Sequence, residues 1–358
     1  MKDIKAALIG CGRIGFLLEN DPLRNKPCTH FGGAKAAGIK IKYACDINEE
    51  RLFSFAEKAQ LQKTNLYTYY RELLLKERPQ LVIIATWTNS HTEIGILAAK
   101  NGARTIICEK PVAANLKDAE ALLAECKKRK VNLIINHERR YDARYHAVKK
   151  LLTENRIGEV KTVYASVLSA GAGSADITLG GGPLLHDGTH MIDIIRYFFG
   201  DILWVRGEMQ KKKPSGFENR AAAWLRSKTG VDIFLEAGGS RKYFVFELQI
   251  SGTEGKIVIG NGYENLYLNN KSKYYTGFRD LTEKPFPHIK GMNYFKQEYL
   301  EANNLLSDKK INISSSGYDG YKALETIHAI YLSSHLKSNK IDLPIKPGQI
   351  DLKEIFKM

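Results

Sequence analysis

A chain of 358 residues is long enough for two domains with cores of their own, and 44% apolar against 26% charged residues excludes a disordered or fibrous protein. No stretch approaches the roughly 18 continuous apolar residues of a membrane helix, and the N-terminal segment reads as a strand rather than a signal peptide, so a soluble cytoplasmic protein without a membrane partner is expected. The formal charge of +15 would attract nucleic acid, but the lysines are scattered, and the short runs Lys127-Lys128-Arg129-Lys130 and Lys211-Lys212-Lys213 lack interleaved aromatics or a nucleic-acid motif. A solvated basic surface is the reading, with no nucleic-acid partner; a pyrophosphate-bearing substrate would also suit it.

Residues 4–9 are apolar enough to be a buried parallel strand and lead into Gly10-Cys11-Gly12-Arg13-Ile14-Gly15, the spacing of a dinucleotide fingerprint. Gly10 permits the tight turn, Gly12 lets the backbone approach a pyrophosphate, and Gly15 lets helix pack on strand. Arg13 and Ile14 complete the turn, and the phosphates would rest on the N-terminus of the helix that follows. A second strand, 39–45, ends in Asp46, where a carboxylate accepts hydrogen bonds from the adenosine ribose and repels a 2′-phosphate, favouring NAD over NADP. The alternative is that Asp46 caps a helix starting near Glu49. Asp46 lies 31 residues past Gly15, against the roughly 20 of the fingerprint, which points to an insertion over 17–29. Pro22, Asn25 and Pro27 would interrupt the first helix there before 31–38 resumes it, with Glu19, Asp21, Arg24 and Lys26 facing either a substrate or, as the preferred reading, only water.

Residues 81–85 read as a fourth strand, 91–101 as a helix, 103–108 as a fifth strand, 115–130 as an amphipathic helix and 131–136 as a sixth strand. This alternation predicts a Rossmann-type, doubly wound parallel sheet forming an NAD-binding domain over 1–136. At the end of the fifth strand stands Glu109-Lys110-Pro111. A lysine at the C-terminal end of such a strand sits where these sheets bind their ligands, so Lys110 is a candidate for chemistry on both cofactor and substrate. Cys11, Cys28, Cys45, Cys108 and Cys126 form no metal-type pair and read as free thiols in a reducing compartment.

Beyond 136 the texture changes. A linking helix over 143–155 precedes alternating runs at 160–169, 203–210, 220–226, 231–237, 243–251 and 256–259, separated by turns such as Lys228-Thr229-Gly230 and Thr253-Glu254-Gly255, the signature of antiparallel hairpins. Residues 137–358 are therefore expected to form an α+β domain with a mainly antiparallel, open-faced sheet. Helices over 292–306 and 318–336 close it, the last packing back against one of the domains, the first being the candidate. Residues 263–279 fit strand and loop equally.

A helix over 184–199 interrupts these strands, introduced by Gly180-Gly181-Gly182-Pro183. It places His186, His190 and Asp193 on one face at i, i+4 and i+7. Two histidines one turn apart suit a metal, but no His-Glu pairing or third ligand is near, and no metal is expected. The remaining readings are acid/base work, with an imidazole taking a hydroxyl proton, or a pair of packed core histidines.

Taken together, the glycine turn, Glu109-Lys110-Pro111 and the glycine-led helix with Gly188-Thr189-His190-Met191-Ile192-Asp193 resemble the glucose-fructose oxidoreductase/inositol dehydrogenase/MocA (Gfo/Idh/MocA) family. The similarity extends to Ala85-Thr86 with Asn89-Ser90-His91, to Arg140-Tyr141 and to Ala329-Ile330-Tyr331-Leu332-Ser333-Ser334, and covers nearly the whole chain. It implies a nicotinamide-binding domain and a second domain with substrate between them, and homodimers or homotetramers built on the open sheet face. It also implies Lys110 as catalytic lysine and His190 as acid/base. Glu109, Thr86, Trp87, Asn89 and His91 are implied beside the cofactor, with His137, Arg140 and Tyr141 lining the substrate site. Two departures stand out. His186 holds the position where the family usually has an aspartate, with Asp187 displaced by one residue, so either could complete the site beside His190. Trp87 replaces a common proline and either stacks near the nicotinamide or walls the pocket.

The function expected is hydride transfer to or from a secondary hydroxyl of a sugar, nucleotide-sugar or cyclic polyol. Two other classes fit the same residues. An NAD-retaining glycosidase would act by transient oxidation and elimination, and a non-catalytic regulator would only bind dinucleotide.

Overall fold

The computed structural model describes residues 4–169, 181–211, 216–289, 291, 293–346, 348–350 and 352–356. Its packing separates the chain into two compact units, one of Met1–Asp142 with Gly291–Tyr321 and the other of Ala143–Lys290 with Lys322–Met358. The chain thus leaves the first unit after Asp142 rather than at 136. The segment 291–321 joins the first unit, whereas the helix expected over 318–336 falls in the second unit from residue 322 on.

The first unit holds a parallel sheet of β1 (Ala6–Ile9), β2 (Ile41–Cys45), β3 (Leu66–Tyr67), β4 (Leu81–Ile84), β5 (Thr105–Cys108) and β6 (Asn132–Ile135), in the order β3-β2-β1-β4-β5-β6. Leu8, Ile83, Ile107 and Ile134 are fully buried, which is why these strands read as unbroken apolar runs rather than alternating ones. Between them run α1 (His30–Ala36), α2 (Glu49–Ala59), α3 (Tyr70–Glu77), α4 (Thr88–Lys100) and α5 (Leu116–Arg129). Asn115 caps α5 by accepting from the Asp118 N–H at 2.9 Å, and Lys127, Lys128 and Arg129 occupy its last turn. Cations there meet the partial negative charge of the helix end, which accounts for that basic run without a partner. The strand order reverses between β1 and β4, so the ends of these two strands flank the switch point at which open α/β sheets bind ligands.

One expectation fails at the start. The α-helix predicted directly after Gly15 is not formed: one turn closed by Phe16 N–H to Gly12 C=O (2.9 Å) runs into a 3₁₀ segment, Leu17–Asn20, and α1 begins only at His30. Within the 17–29 insertion, Glu19 faces the protein rather than water. Its carboxylate accepts from the Thr29 hydroxyl at 2.6 Å and the Cys28 N–H at 3.1 Å, satisfying backbone that the prolines leave without a helix.

The second unit is built on a sheet of β7 (Val160–Leu168), β8 (Ile202–Lys211), β9 (Glu218–Ser227), β10 (Asp232–Gly238), β11 (Val245–Gly252), β12 (Gly255–Gly260), β13 (Tyr263–Lys271), β14 (Arg279–Lys284) and β15 (Ile341–Asp342). The order is β14-β13-β12-β11-β7-β10-β9-β8-β15, and among the described residues β7 with β10 is the one parallel pairing in this sheet. Residues 263–271, ambiguous in the sequence, form a strand. Its helices are α6 (Ala143–Thr153), α7 (Pro183–His186), α8 (Gly188–Phe199) and α11 (Leu352–Phe356); α9 (Tyr294–Leu306) belongs to the first unit and α10 (Gly317–His335) to the second from residue 322 on, and the fold is α/β with a mainly antiparallel second sheet.

Alternation on this sheet is clean where β7, β10 and β9 pair in register. Val163, Ile233 and Leu225 are fully buried on one face, while their neighbours Tyr164, Phe234 and Trp224 stand 53, 39 and 38% exposed on the other. Among the described residues no helix is long and apolar enough to cross a membrane. All five cysteines are buried and free, as the sequence suggested.

Candidate active site

The three glycines of the first turn have different reasons to be glycine. Gly10 has φ +99°, and a Cβ on it would lie 2.5 Å from the Ala85 carbonyl oxygen; a Cβ on Gly15 would lie 2.1 Å from the Gly10 carbonyl. Both are demanded by the protein's own packing. A Cβ on Gly12 would meet nothing within 4 Å. Nothing among the described residues needs that position bare, so the protein's own packing does not account for it.

Asp46 is 8% exposed, and both its oxygens are committed to this turn and its neighbour: Oδ2 accepts from the Cys11 N–H at 2.7 Å, Oδ1 from the Asn48 N–H at 2.8 Å. The cap of α2 is Asn48, which accepts from the Arg51 N–H at 2.9 Å, so capping does not explain Asp46. Its carboxylate is instead pinned beside the glycine turn.

At the end of β4, Thr86 Oγ and Ser90 Oγ are 2.7 Å apart, Asn89 is exposed in the first turn of α4, and Trp87 is 57% exposed. His91 departs from expectation. It is fully buried, with Nδ1 2.9 Å from the Pro111 carbonyl and Nε2 3.0 Å from the Thr86 carbonyl. It therefore ties the β4 end to the Lys110 turn and offers no surface to a cofactor.

Lys110 is half-buried at the end of β5, with its backbone N–H 3.2 Å from Glu109 Oε2. Glu109 is held by residues the sequence reading missed. Its Oε1 accepts from Asn136 Nδ2 at 2.6 Å and from His30 Nε2 at 3.0 Å, while His30 Nδ1 lies 2.8 Å from the Tyr299 hydroxyl. A carboxylate only accepts, so the proton of the His30 contact sits on Nε2, and the other nitrogen is hydrogen-bonded to the Tyr299 hydroxyl. Burial alone would raise the Glu109 carboxyl, but the hydrogen bond and charge of His30, the charge of Lys110 and the Asn136 amide outweigh it and bring it down to about 2. The Lys110 backbone is thus held by a fixed anion. Glu138 lies within electrostatic reach too: burial raises its carboxyl, and the charges of Arg139 and Lys110 partly oppose that.

Arg140 and Tyr141, expected at the substrate, are occupied inside the first unit. Arg140, 6% exposed, is 3.0 Å from Asp319 Oδ1 and donates to the Ser314 carbonyl at 2.9 Å; Tyr141, 3% exposed, donates to Glu301 at 2.9 Å. They clasp the 291–321 segment, because a guanidinium and a phenol taken out of water need such partners. His137 is 1% exposed and begins the 3₁₀ turn Glu138–Tyr141.

In the second unit the helix expected over 184–199 is broken at Asp187 into α7 and α8. The break sets His186 Nε2 3.9 Å from Asp187 Oδ1, so the two candidates for the position beside His190 lie together rather than on separate helix faces. His190, in the first turn of α8, is 8% exposed. Gly180, Lys212 and Lys213 lie outside the described residues.

Residues 4–137 match the family model described as oxidoreductase family, NAD-binding Rossmann fold, and residues 145–258 match the GFO/IDH/MocA C-terminal domain. The chain belongs to the Gfo/Idh/MocA family. It is 26% identical to a D-apiose dehydrogenase of Paraburkholderia graminis, covering 96% of this chain and 92% of that one. It is also 26% identical to a myo-inositol 2-dehydrogenase of Thermotoga maritima over 72% of this chain and 75% of the other. The WlbA dehydrogenase of Bordetella pertussis, solved with NADH and UDP-GlcNAcA, shares the fold at a TM-score of 0.77 and 20% identity, covering 96% of this chain and all of that one. The protein is accordingly an NAD-dependent oxidoreductase of a sugar and polyol dehydrogenase family, and its first unit is the NAD-binding Rossmann domain.

Proposed function

We propose that this Gfo/Idh/MocA protein transfers hydride to or from a secondary hydroxyl of a sugar, nucleotide-linked sugar or cyclic polyol. The observation that carries the reading is Lys110, extended from the end of β5 on a Glu109 carboxylate anchored by His30 and Asn136. A fixed ammonium there polarises the reacting oxygen and stabilises negative charge as it develops. His190 exchanges the hydroxyl proton, and the neighbouring His186 and Asp187 line the substrate and orient that imidazole. NAD, when bound, supplies the two-electron acceptor or donor. Gly12 and Asp46 would hold its pyrophosphate and ribose, with Thr86, Trp87 and Asn89 beside the nicotinamide, and the Asp46 carboxylate disfavours the 2′-phosphate of NADP.

The positive net charge favours a nucleotide-linked sugar within this class. The exposed row of Tyr164, Phe234 and Trp224 supports a homodimer or homotetramer formed through the open sheet face, and five buried free thiols suit the cytoplasm.

The test is nicotinamide absorbance on NAD-loaded protein mixed with inositols, free sugars and UDP- or dTDP-linked sugars, beside Lys110→Ala. NADH formed with one substrate class, and lost in Lys110→Ala with NAD affinity kept, is the expected result. Equal turnover in the variant would remove Lys110 from the chemistry. Product formed without net NADH would indicate the self-recycling glycosidase, and binding without turnover of any substrate a regulator.

A further inference from the structure

Glu218 opens β9 and is 1% exposed. Its Oε1 accepts from the Leu184 N–H at 3.0 Å and lies 3.3 Å from the Tyr331 hydroxyl; its Oε2 is buried with no partner among the described residues. A Cβ on Gly182 would fall 2.3 Å from this carboxyl, so Gly182 is bare to let the carboxyl reach the start of α7. From the other side, a Cβ on Gly238 would fall 2.4 Å from Pro183 Cγ. The ends of β9 and β10 therefore grip the Gly182-Pro183-Leu184 turn between them. From that turn the geometry runs on in hydrogen-bonded steps: the Asp187 N–H donates to the Pro183 carbonyl at 3.2 Å, and the His190 N–H to the Asp187 carbonyl at 3.2 Å.

We propose that Glu218 is a positioning residue of the reaction, its carboxyl fixing the first turn of the broken helix and, through that turn, the placement of His186, Asp187 and His190. This rests on the reading that His190 carries the hydroxyl proton. Without Glu218 the Leu184 N–H loses its anchor, and α7 is only four residues long, too short to hold its own geometry. A misplacement of about 1 Å at a proton-transferring group is enough to cost on the order of 100-fold in rate. The groups facing Glu218 are Tyr331 on α10, the Leu184 amide and the charge of Lys211 on β8. Burial outweighs their lowering effect and raises its carboxyl to about 7. The clamp is thus strongest above neutrality, where the ionised carboxylate is the better acceptor.

The test compares Glu218→Ala and Glu218→Gln with the unmutated full chain by turnover, NADH-binding fluorescence, pH profile and amide exchange at Leu184. In Glu218→Ala, kcat is expected to fall at least tenfold with NADH affinity within twofold, and Leu184 exchange to quicken at least tenfold. Glu218→Gln keeps an oxygen that accepts the Leu184 N–H, so kcat at pH 8 should return to within about threefold, and kcat should vary less with pH around 7 than in the unmutated protein. A kcat in Glu218→Ala within twofold of the unmutated protein, or Glu218→Gln as impaired as Glu218→Ala, would overturn the proposal. Should Glu218→Ala not fold, Gly182→Ala displaces the same carboxyl and carries the same expectations. If the unmutated protein turns over no substrate, the reading of the site has failed. The Leu184 exchange still decides the clamp, unchanged exchange overturning it.

Discussion

Replacing His30 by alanine should unsettle both the first unit and the placement of Lys110. His30 is fully buried and bridges Glu109 at 3.0 Å and the Tyr299 hydroxyl at 2.8 Å. The substitution leaves Glu109 with Asn136 as its remaining side-chain partner and strands a buried phenol. Leaving a buried hydrogen-bonded group without its partner costs about 1–3 kcal/mol, and more when that group is charged, as the Glu109 carboxylate is. A second route gives a similar figure. The Glu109 carboxyl lies at about 2 in the fold against an ordinary 4.5, and at ~1.4 kcal/mol per pKa unit this depression corresponds to about 3 kcal/mol, with His30 the strongest of the groups that lower it. Because the folded value is depressed, that stabilisation is complete above pH ~4.5 and is lost as pH falls through ~2. Urea unfolding of His30→Ala followed by circular dichroism should show a deficit of about 3 kcal/mol at pH 7 that shrinks on acidification below pH 4. A deficit under ~1 kcal/mol at pH 7, or one that does not change with pH, would refute the argument that His30 acts by holding the Glu109 anion.

Asp46→Ala should weaken NAD binding by about 10- to 100-fold, the range of one to two charge-assisted hydrogen bonds, and narrow the preference for NAD over NADP; isothermal titration with both nucleotides checks it, and unaltered discrimination would return Asp46 to a purely structural role. Trp224→Lys, placing a charge in the middle of the exposed aromatic row, should shift the protein toward monomer in light scattering, whereas an unmutated protein that is itself monomeric at tens of micromolar would remove the proposed interface.

Much of the site was legible because its chemistry is local in sequence. The glycine turn, Asp46 at the end of β2, and Lys110 at the end of β5 each follow a strand whose apolar run announces it, and the fingerprint spacing needs no knowledge of distant residues. The broken helix was half legible. Gly182-Pro183 marks its start, but the approach of Glu218 and Gly238 to that turn is carried by no local pattern. His30 carried no signal, because the insertion before it moved it away from the motif it serves. Arg140 and Tyr141 misled for a related reason: a polar residue after a strand reads as a ligand contact until its partners, Asp319, Ser314 and Glu301, are seen to come from nearly the other end of the chain.

Alternation of apolar runs, with periods of 3.6 and 2, determined by itself that a parallel α/β domain precedes an antiparallel sheet, since backbone hydrogen bonding and burial leave few other ways to satisfy those patterns. Only the tertiary structure decided that 291–321 belongs to the first unit, that Glu109 is anchored by His30, and that Glu218 grips the turn leading to His190. These are pairings across tens to hundreds of residues. Their energies come from buried carboxyl groups meeting hydrogen-bond donors at about 3 Å, a distance that exists only once the chain has folded.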